Sequence, residues 1–155
     1  MSNNQLFENI PEDCIFDIPH KNKIISAKVI KVCDGDTLSV IFELRNGVYM
    51  NTKIRILGVD TPETHSDNEL EKLAGECVTK YVKKLVEGKI LKITIKNHDK
   101  YGGRFVGDVY LSNASKPRRS SLVSFNLIKN KYGREYNGEK KEAWTEEELQ
   151  YIIKI

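Results

Sequence analysis

The stretch VCDGDTLSVIFELRNGVYMNTKIRILGVDTPETH, residues 32–65, decides the fold. Within it Leu38, Val40, Phe42 and Leu44 alternate with outward positions, the period of a half-buried strand. Asn46-Gly47 is a strong hairpin signal, because both residues tolerate positive φ. Beyond that turn Met50, Thr52, Ile54 and Ile56 share one face, which throws Lys53 and Arg55 onto the other. Upstream, residues 24–32 are rich in β-formers, and Cys33-Asp34-Gly35-Asp36 turns them into the next strand. Three consecutive antiparallel strands are expected.

Working outward, a helix interrupts the strands. Ser66 with Glu69 fits a capping box, and Leu70, Leu73, Cys77, Tyr81 and Leu85 recur at three- and four-residue steps. Gly88 supplies a C-terminal stop. Two strands follow, one through Leu91, Ile93 and Ile95, the other over 104–111 after a Gly102-Gly103 turn. A helix is expected over 119–131, and a last one after Thr145 and Glu148, with Trp144 and Leu149 spaced as a hydrophobic staple. This order predicts a mainly β protein with helices (α+β), an OB-type five-stranded antiparallel barrel with about three helices. Residues 1–22, of which the first twenty carry four acids and no Lys or Arg, read as an irregular acidic extension, and residues 23–155 as the domain.

Composition bounds what such a barrel does. The chain of 155 residues carries a formal charge of +3, far from the excess of a histone-like binder. Its 39% apolar and 30% charged residues exclude a disordered chain. No run approaches the roughly 20 apolar residues of a membrane span, and no secretory signal stands at the start. Cys14, Cys33 and Cys77 show no metal or disulfide spacing, so reduced thiols and a cytoplasmic location are expected. The average charge hides an uneven one. Residues 100–141 hold ten basic and three acidic side chains, a basic flank suited to a phosphodiester substrate.

Four acids fall near the first hairpin: Asp34 and Asp36 in DGDT, and Asp60 and Glu63 in GVDTPE. If the strands pair through Asn46-Gly47, Asp36 and Asp60 meet at one end of the ribbon. Carboxylates gathered there, with a backbone carbonyl, make an oxygen-only site for Ca²⁺ or Mg²⁺. Asp, Gly and Pro also build ordinary turns, so each motif alone reads equally as a turn. Arg55 on its strand and Arg104 after the HDKYGG turn offer two guanidinium forks, the groups that stabilise charge on a phosphorane. Lys100 and Tyr101 form a basic-aromatic pair in that turn.

The blocks VCDGDT (32–37), KIRILGVDTPETH (53–65) and HDKYGGRFVGDVYL (98–111) together resemble the staphylococcal nuclease (thermonuclease-like) family, over roughly 80% of the chain. The resemblance implies a five-stranded OB barrel and a Ca²⁺-dependent phosphodiesterase that cuts DNA and RNA without sequence preference and leaves 3′-phosphate ends; another divalent cation could serve. It further implies metal binding by the Asp36 and Asp60 carboxylates and the Thr61 carbonyl, with Glu63 as general base. Arg55 and Arg104 would grip the scissile phosphate, and Lys100 and Tyr101 a neighbouring one. Tyr132 or Tyr136 would stack on the base. The family usually reads DKYGR where this chain reads DKYGGR, so Gly103 is expected to be a loop insertion that bears on the reach of Arg104. The alternative is a catalytically weak or inactive OB-fold nucleic-acid-binding module. Erosion of that kind would show as loss of Glu63, Arg55 or a metal carboxylate, and each of those positions is filled. A monomer with a nucleic-acid substrate and no membrane or obligate protein partner is expected.

Overall fold

A computed structural model of the chain describes residues 3–11, 17–100 and 102–155. Strands β1 (Ile24–Asp34), β2 (Thr37–Arg45) and β3 (Val48–Ile56) run antiparallel, β2 and β3 joined by a turn whose Gly47 takes φ 75°. After β4 (Val59–Asp60) and helix α2 (Glu69–Val86) come β5 (Ile90–His98) and β6 (Phe105–Val109). The five long strands close into a barrel in the order β1-β2-β3-β6-β5. One junction departs from the all-antiparallel expectation: β3 and β6 pair in parallel, Ile54 opposite Phe105. The alternation expected of β2 holds for Leu38, Val40 and Phe42, which are buried, whereas Leu44 is exposed. Together with Val29, Ile54, Ile56, Ile93 and Ile95 the three buried residues fill the barrel.

Helix α2 lies against β1 and against the last helix, α4 (Glu146–Ile153). Its start differs from expectation. Asn68 is the cap, accepting from the backbone N–H of Leu70 and Glu71, whereas the Ser66 hydroxyl donates to the Glu71 carboxylate. Its buried face differs too, consisting of Ala74, Gly75, Val78, Val82 and Val86. Leu70, Cys77, Tyr81 and Leu85 flank that stripe half-buried, and Leu73 is exposed. Small residues win the central positions because helix and barrel approach closely. A Cβ on Gly75 would lie 2.7 Å from the Pro62 carbonyl oxygen. The helix stops at Gly88, φ 79°, as expected.

The segment 119–131 is two pieces, a 3-10 turn at Arg119–Ser121 and helix α3 (Val123–Lys129). Helix α4 begins with the expected capping box of Thr145 and Glu148. The lead-in contains a short helix, α1 (Asn3–Glu8), where irregular chain was expected. A second small sheet, unforeseen from the sequence, pairs β4 with β7 (Arg134–Glu135). Cys33 and Cys77 are free thiols; Cys14 lies outside the described residues. Among the described residues no helix is long and apolar enough to cross a membrane.

Candidate active site

The site is built at the end of the β2–β3 ribbon. Arg55 pairs across the ladder with Thr37, and the Ile56 N–H donates to the Asp36 carbonyl. The register therefore brings the DGDT turn beside Arg55, as the position of Asn46-Gly47 predicts. Asp60 sits on β4 directly opposite Arg134 of β7. The Arg55 guanidinium lies 3.4 Å from an Asp36 oxygen and 3.8 Å from an Asp60 oxygen. It also donates to the Ile56 and Val59 carbonyls, at 3.0 and 2.8 Å. Its exposure is only 8%, so this strand arginine is a fixed internal part and not a solvated one. Burying a guanidinium and two carboxylates together is tolerable because each neutralises the other and the donors are satisfied.

The loop after Asp60 is held from two sides. The Thr64 hydroxyl donates to the Asp34 carboxylate, tying the loop to the DGDT turn. The Glu63 N–H donates to Glu71 of α2 at 3.4 Å, next to the close approach of Gly75. Thr61 is buried beneath, where a Cβ on Gly35 would meet its hydroxyl at 2.9 Å. The Glu63 side chain is half exposed at the mouth of the pocket.

Arg104 follows the turn containing the extra glycine. Gly102 and Gly103 both take the left-handed conformation, φ 74° and 70°, which only glycine adopts without strain. The Asp99 N–H bonds to the Arg104 carbonyl at 3.0 Å, so the hairpin absorbs the insertion and the arginine keeps a cleft position. Its Nε donates to Asp99 at 2.8 Å and one terminal nitrogen reaches the Thr37 hydroxyl at 3.3 Å. Arg55, Arg104, Lys100, Tyr136 and Lys141 line one cleft of about 420 Å³. There the Lys100 ammonium donates to the Tyr136 hydroxyl at 3.4 Å, and the Arg55 guanidinium stands 5.9 Å from the Tyr136 ring centre.

Of the expected residues, Asp36, Arg55, Asp60, Thr61 and Glu63 come together, with Lys100, Arg104 and Tyr136 along the adjoining cleft. Tyr101 lies outside the described residues. Tyr132 is not among the residues that line this cleft: it is half-buried against the core, edge-on to Tyr81 at 4.8 Å and near Tyr151. Loss of solvent there raises its hydroxyl pKa, as the two neighbouring tyrosines also do.

Two residues escaped the sequence reading. Arg134 has a nitrogen 3.6 Å from the second Asp60 oxygen, and its guanidinium stacks on Trp144 at 4.0 Å. It donates to the Glu142 carbonyl as well. Lys141 places its ammonium 3.1 Å from Asp60 Oδ1 and 3.2 Å from Glu63 Oε1. Burial opposes its charge, but Asp60 and then Glu63 outweigh burial and hold its pKa above that of an ordinary lysine. The surplus of bases over 100–141 was the available signal, but it does not single out these two.

The donors at the pocket are of the kind a hard cation takes. Asp36, Asp60 and the Thr61 carbonyl offer oxygen alone. Asp60 Oδ1 is wholly buried and receives no hydrogen bond, since Lys141 stands at ion-pair distance without hydrogen-bond alignment. Among the described residues no group of three or more His, Cys, Asp and Glu side chains is placed to hold a metal ion.

Comparison with known proteins gives a concordant result. Residues 53–154 match the family described as "Staphylococcal nuclease homologue". An uncharacterized protein of Methanocaldococcus jannaschii is 36% identical over 131 residues, 70% of this chain and 58% of that protein. An "uncharacterized endonuclease" of Escherichia coli is 35% identical over 96 residues, 62% of this chain and 55% of that protein. "Endonuclease YncB" of Bacillus subtilis is 34% identical over 103 residues, 63% of this chain and 46% of that protein. The chain thus spans about half the length of these relatives.

Proposed function

Since the chain belongs to the staphylococcal nuclease homologue family, we propose that it hydrolyses phosphodiester bonds of DNA and RNA in the cleft between Arg55 and Arg104. The observation that carries this reading is the presence of two guanidinium groups on one cleft beside a buried carboxylate pair. A phosphodiester under attack gains charge on its equatorial oxygens, and fixed guanidinium forks in a partly desolvated cleft bind that charge better than they bind the ground state. Both forks are held by protein acceptors in advance, Arg55 by main-chain carbonyls and Arg104 by Asp99.

Glu63 acts as the general base. It accepts a proton from the attacking water as the new P–O bond forms; the bond to the 5′ oxygen breaks, that oxygen takes a proton from solvent, and a 3′-phosphate remains. Lys100 and Tyr136, one hydrogen bond apart, bind the neighbouring nucleotide, the ammonium on its phosphate and the ring on its base. Asp36, Asp60 and the Thr61 carbonyl would hold a Ca²⁺ ion, which when bound supplies positive charge beside the phosphate and polarises the attacking water.

Short single-stranded DNA and RNA incubated with the protein and millimolar Ca²⁺ test this, with strand ends identified afterwards. Expected are fragments with 3′-phosphates, an arrest by chelator, and for Glu63→Gln a loss of about 10²–10⁴ in turnover with oligonucleotide affinity retained. Binding of both nucleic acids without cleavage at any divalent cation would replace the nuclease by a binding module.

A further inference from the structure

We propose that Lys141 is a positioning residue of the carboxylate pocket: its ammonium is a tethered counter-ion that holds Asp60 and Glu63 together and yields the Asp60 oxygen when a divalent cation binds. The inference rests on the nuclease reading for the role of Glu63, but not for its geometry.

Three cationic side chains, Arg55, Arg134 and Lys141, stand against the three carboxylates Asp36, Asp60 and Glu63. The chain itself thus supplies a cation at ion-pair distance to each of these three carboxylates. The three cations are not equally replaceable. Arg55 is buried and bonded to two main-chain carbonyls, and Arg134 is clamped by Trp144 and by the carbonyls of Glu142 and Ala143. Lys141 is different. It comes from the irregular segment between β7 and α4, keeps 39% of its side chain exposed, and reaches the pocket at the end of a flexible stem.

Its placement also concerns the oxygen a metal would need. Asp60 Oδ1 is buried, lies 3.1 Å from the ammonium, and lacks a hydrogen bond. An ion pair without hydrogen-bond alignment is the kind of contact a better-fitting cation displaces. The same ammonium donates to Glu63 Oε1 at 3.2 Å, so the proposed base is held over the pocket by the group that guards it. The Tyr136 ring, 5.5 Å from the ammonium, offers an alternative resting place on the cleft wall.

Calorimetric titration of the intact protein with Ca²⁺, without nucleic acid, tests the proposal. Lys141→Met and Lys141→Gln should each tighten Ca²⁺ binding by about tenfold or more, since a unit charge within a few ångströms of the site disappears. Lys141→Arg, which keeps the charge, should stay near the wild type. Lys140→Met, which removes an equal charge from the exposed neighbouring position, should change affinity by about twofold at most. Unchanged or weaker Ca²⁺ binding by the two neutral variants would overturn the proposal, as would an equal gain from Lys140→Met. Cleavage of single-stranded DNA by the wild type separates the two levels. If it cuts while the variants bind Ca²⁺ no more tightly, only the lysine proposal falls. If no protein binds Ca²⁺ and the wild type does not cut, both fall.

Discussion

Gly75 shows how a residue with no side chain can govern a chemical site. It lies on α2 where a Cβ would meet the Pro62 carbonyl at 2.7 Å and the Glu63 carbonyl carbon at 3.0 Å. Both neighbours are backbone, so neither can swing away. Gly75→Ala is therefore expected to push the 62–64 loop outward, lowering turnover by about a hundredfold, the scale set by a 1 Å displacement of a catalytic group. Stopped-flow cleavage beside a thermal melt checks this, and activity should fall much further than stability. Asp108 illustrates a different residue-scale effect, away from the catalytic cluster. Burial raises its pKa above the ordinary value, against the lowering influence of Lys96 and Arg119. A carboxyl whose folded pKa is raised favours folding most below the unfolded pKa, and that advantage is lost as pH rises through the folded value. Asp108→Asn should accordingly stabilise the protein at pH 7, with the gain shrinking as the pH falls toward the usual carboxylate range near 4. Urea unfolding at several pH values measures it; a gain that grows on acidification would contradict the sign.

The elements differ in how plainly they were written into the chain. Strands β2 and β3 were readable because alternation and a two-residue turn fix face and register together. The helix after the third strand was readable in extent but not in orientation. Three residues able to cap stand in a row at Ser66, Asp67 and Asn68, and the nearest glutamates satisfy more than one of the resulting patterns. Its buried stripe was misread because large residues carry the hydrophobic signal, whereas close approach to the barrel selects Ala74, Gly75 and Val78. The β4–β7 pair, two residues on each side, is too short to show any period, so the partnership of Asp60 with Arg134 was invisible. Lys141 was equally hidden, one lysine among many on an irregular segment. Helix α4 makes the opposite case. Its capping box was evident and is fully formed. Thr145→Ala should cost about 1 kcal/mol, a fall in Tm of about 2–4 °C for a chain of this size. Calorimetry should show it without loss of turnover at 25 °C, because no residue of α4 lines the cleft.

At the scale of the whole molecule the charge is divided by place and not by amount. The basic surplus of residues 100–141 surrounds the cleft through Lys100, Arg104 and Lys141, while the acids of the DGDT and DTPE turns sit in the pocket behind it. Substrate affinity should therefore be salt-dependent. With Arg55, Lys100 and Arg104 each on a phosphate, log affinity of Glu63→Gln for a single-stranded oligonucleotide should fall against log salt with a slope near −2. Removing Arg104 in that background should reduce the slope by about 0.7. Fluorescence anisotropy across salt concentrations checks both values. The family match begins at residue 53, inside β3, so Asp36 stands outside it. Its place in the site rests on the pairing of β2 with β3.

The parallel junction of β3 with β6 also governs how the molecule comes into being. Ile54 and Phe105 are neighbours in space but 51 positions apart in the chain, and no short hairpin can bring them together. Closing so long a loop costs more entropy than forming a local hairpin, so the junction is expected to form after the hairpins. Asp36 and Arg55 belong to the local β1–β2–β3 meander and Arg104 to the local β5–β6 hairpin; closing the barrel joins the two through β3–β6 and through β1–β5, whose partners lie 62–70 positions apart. A chain still being synthesised, or a refolding one with only its first hairpin formed, holds Arg55 but has not yet brought Arg104 to the same cleft. The proposed nuclease activity should therefore return on refolding only when the barrel closes, so that cleavage would time that closure.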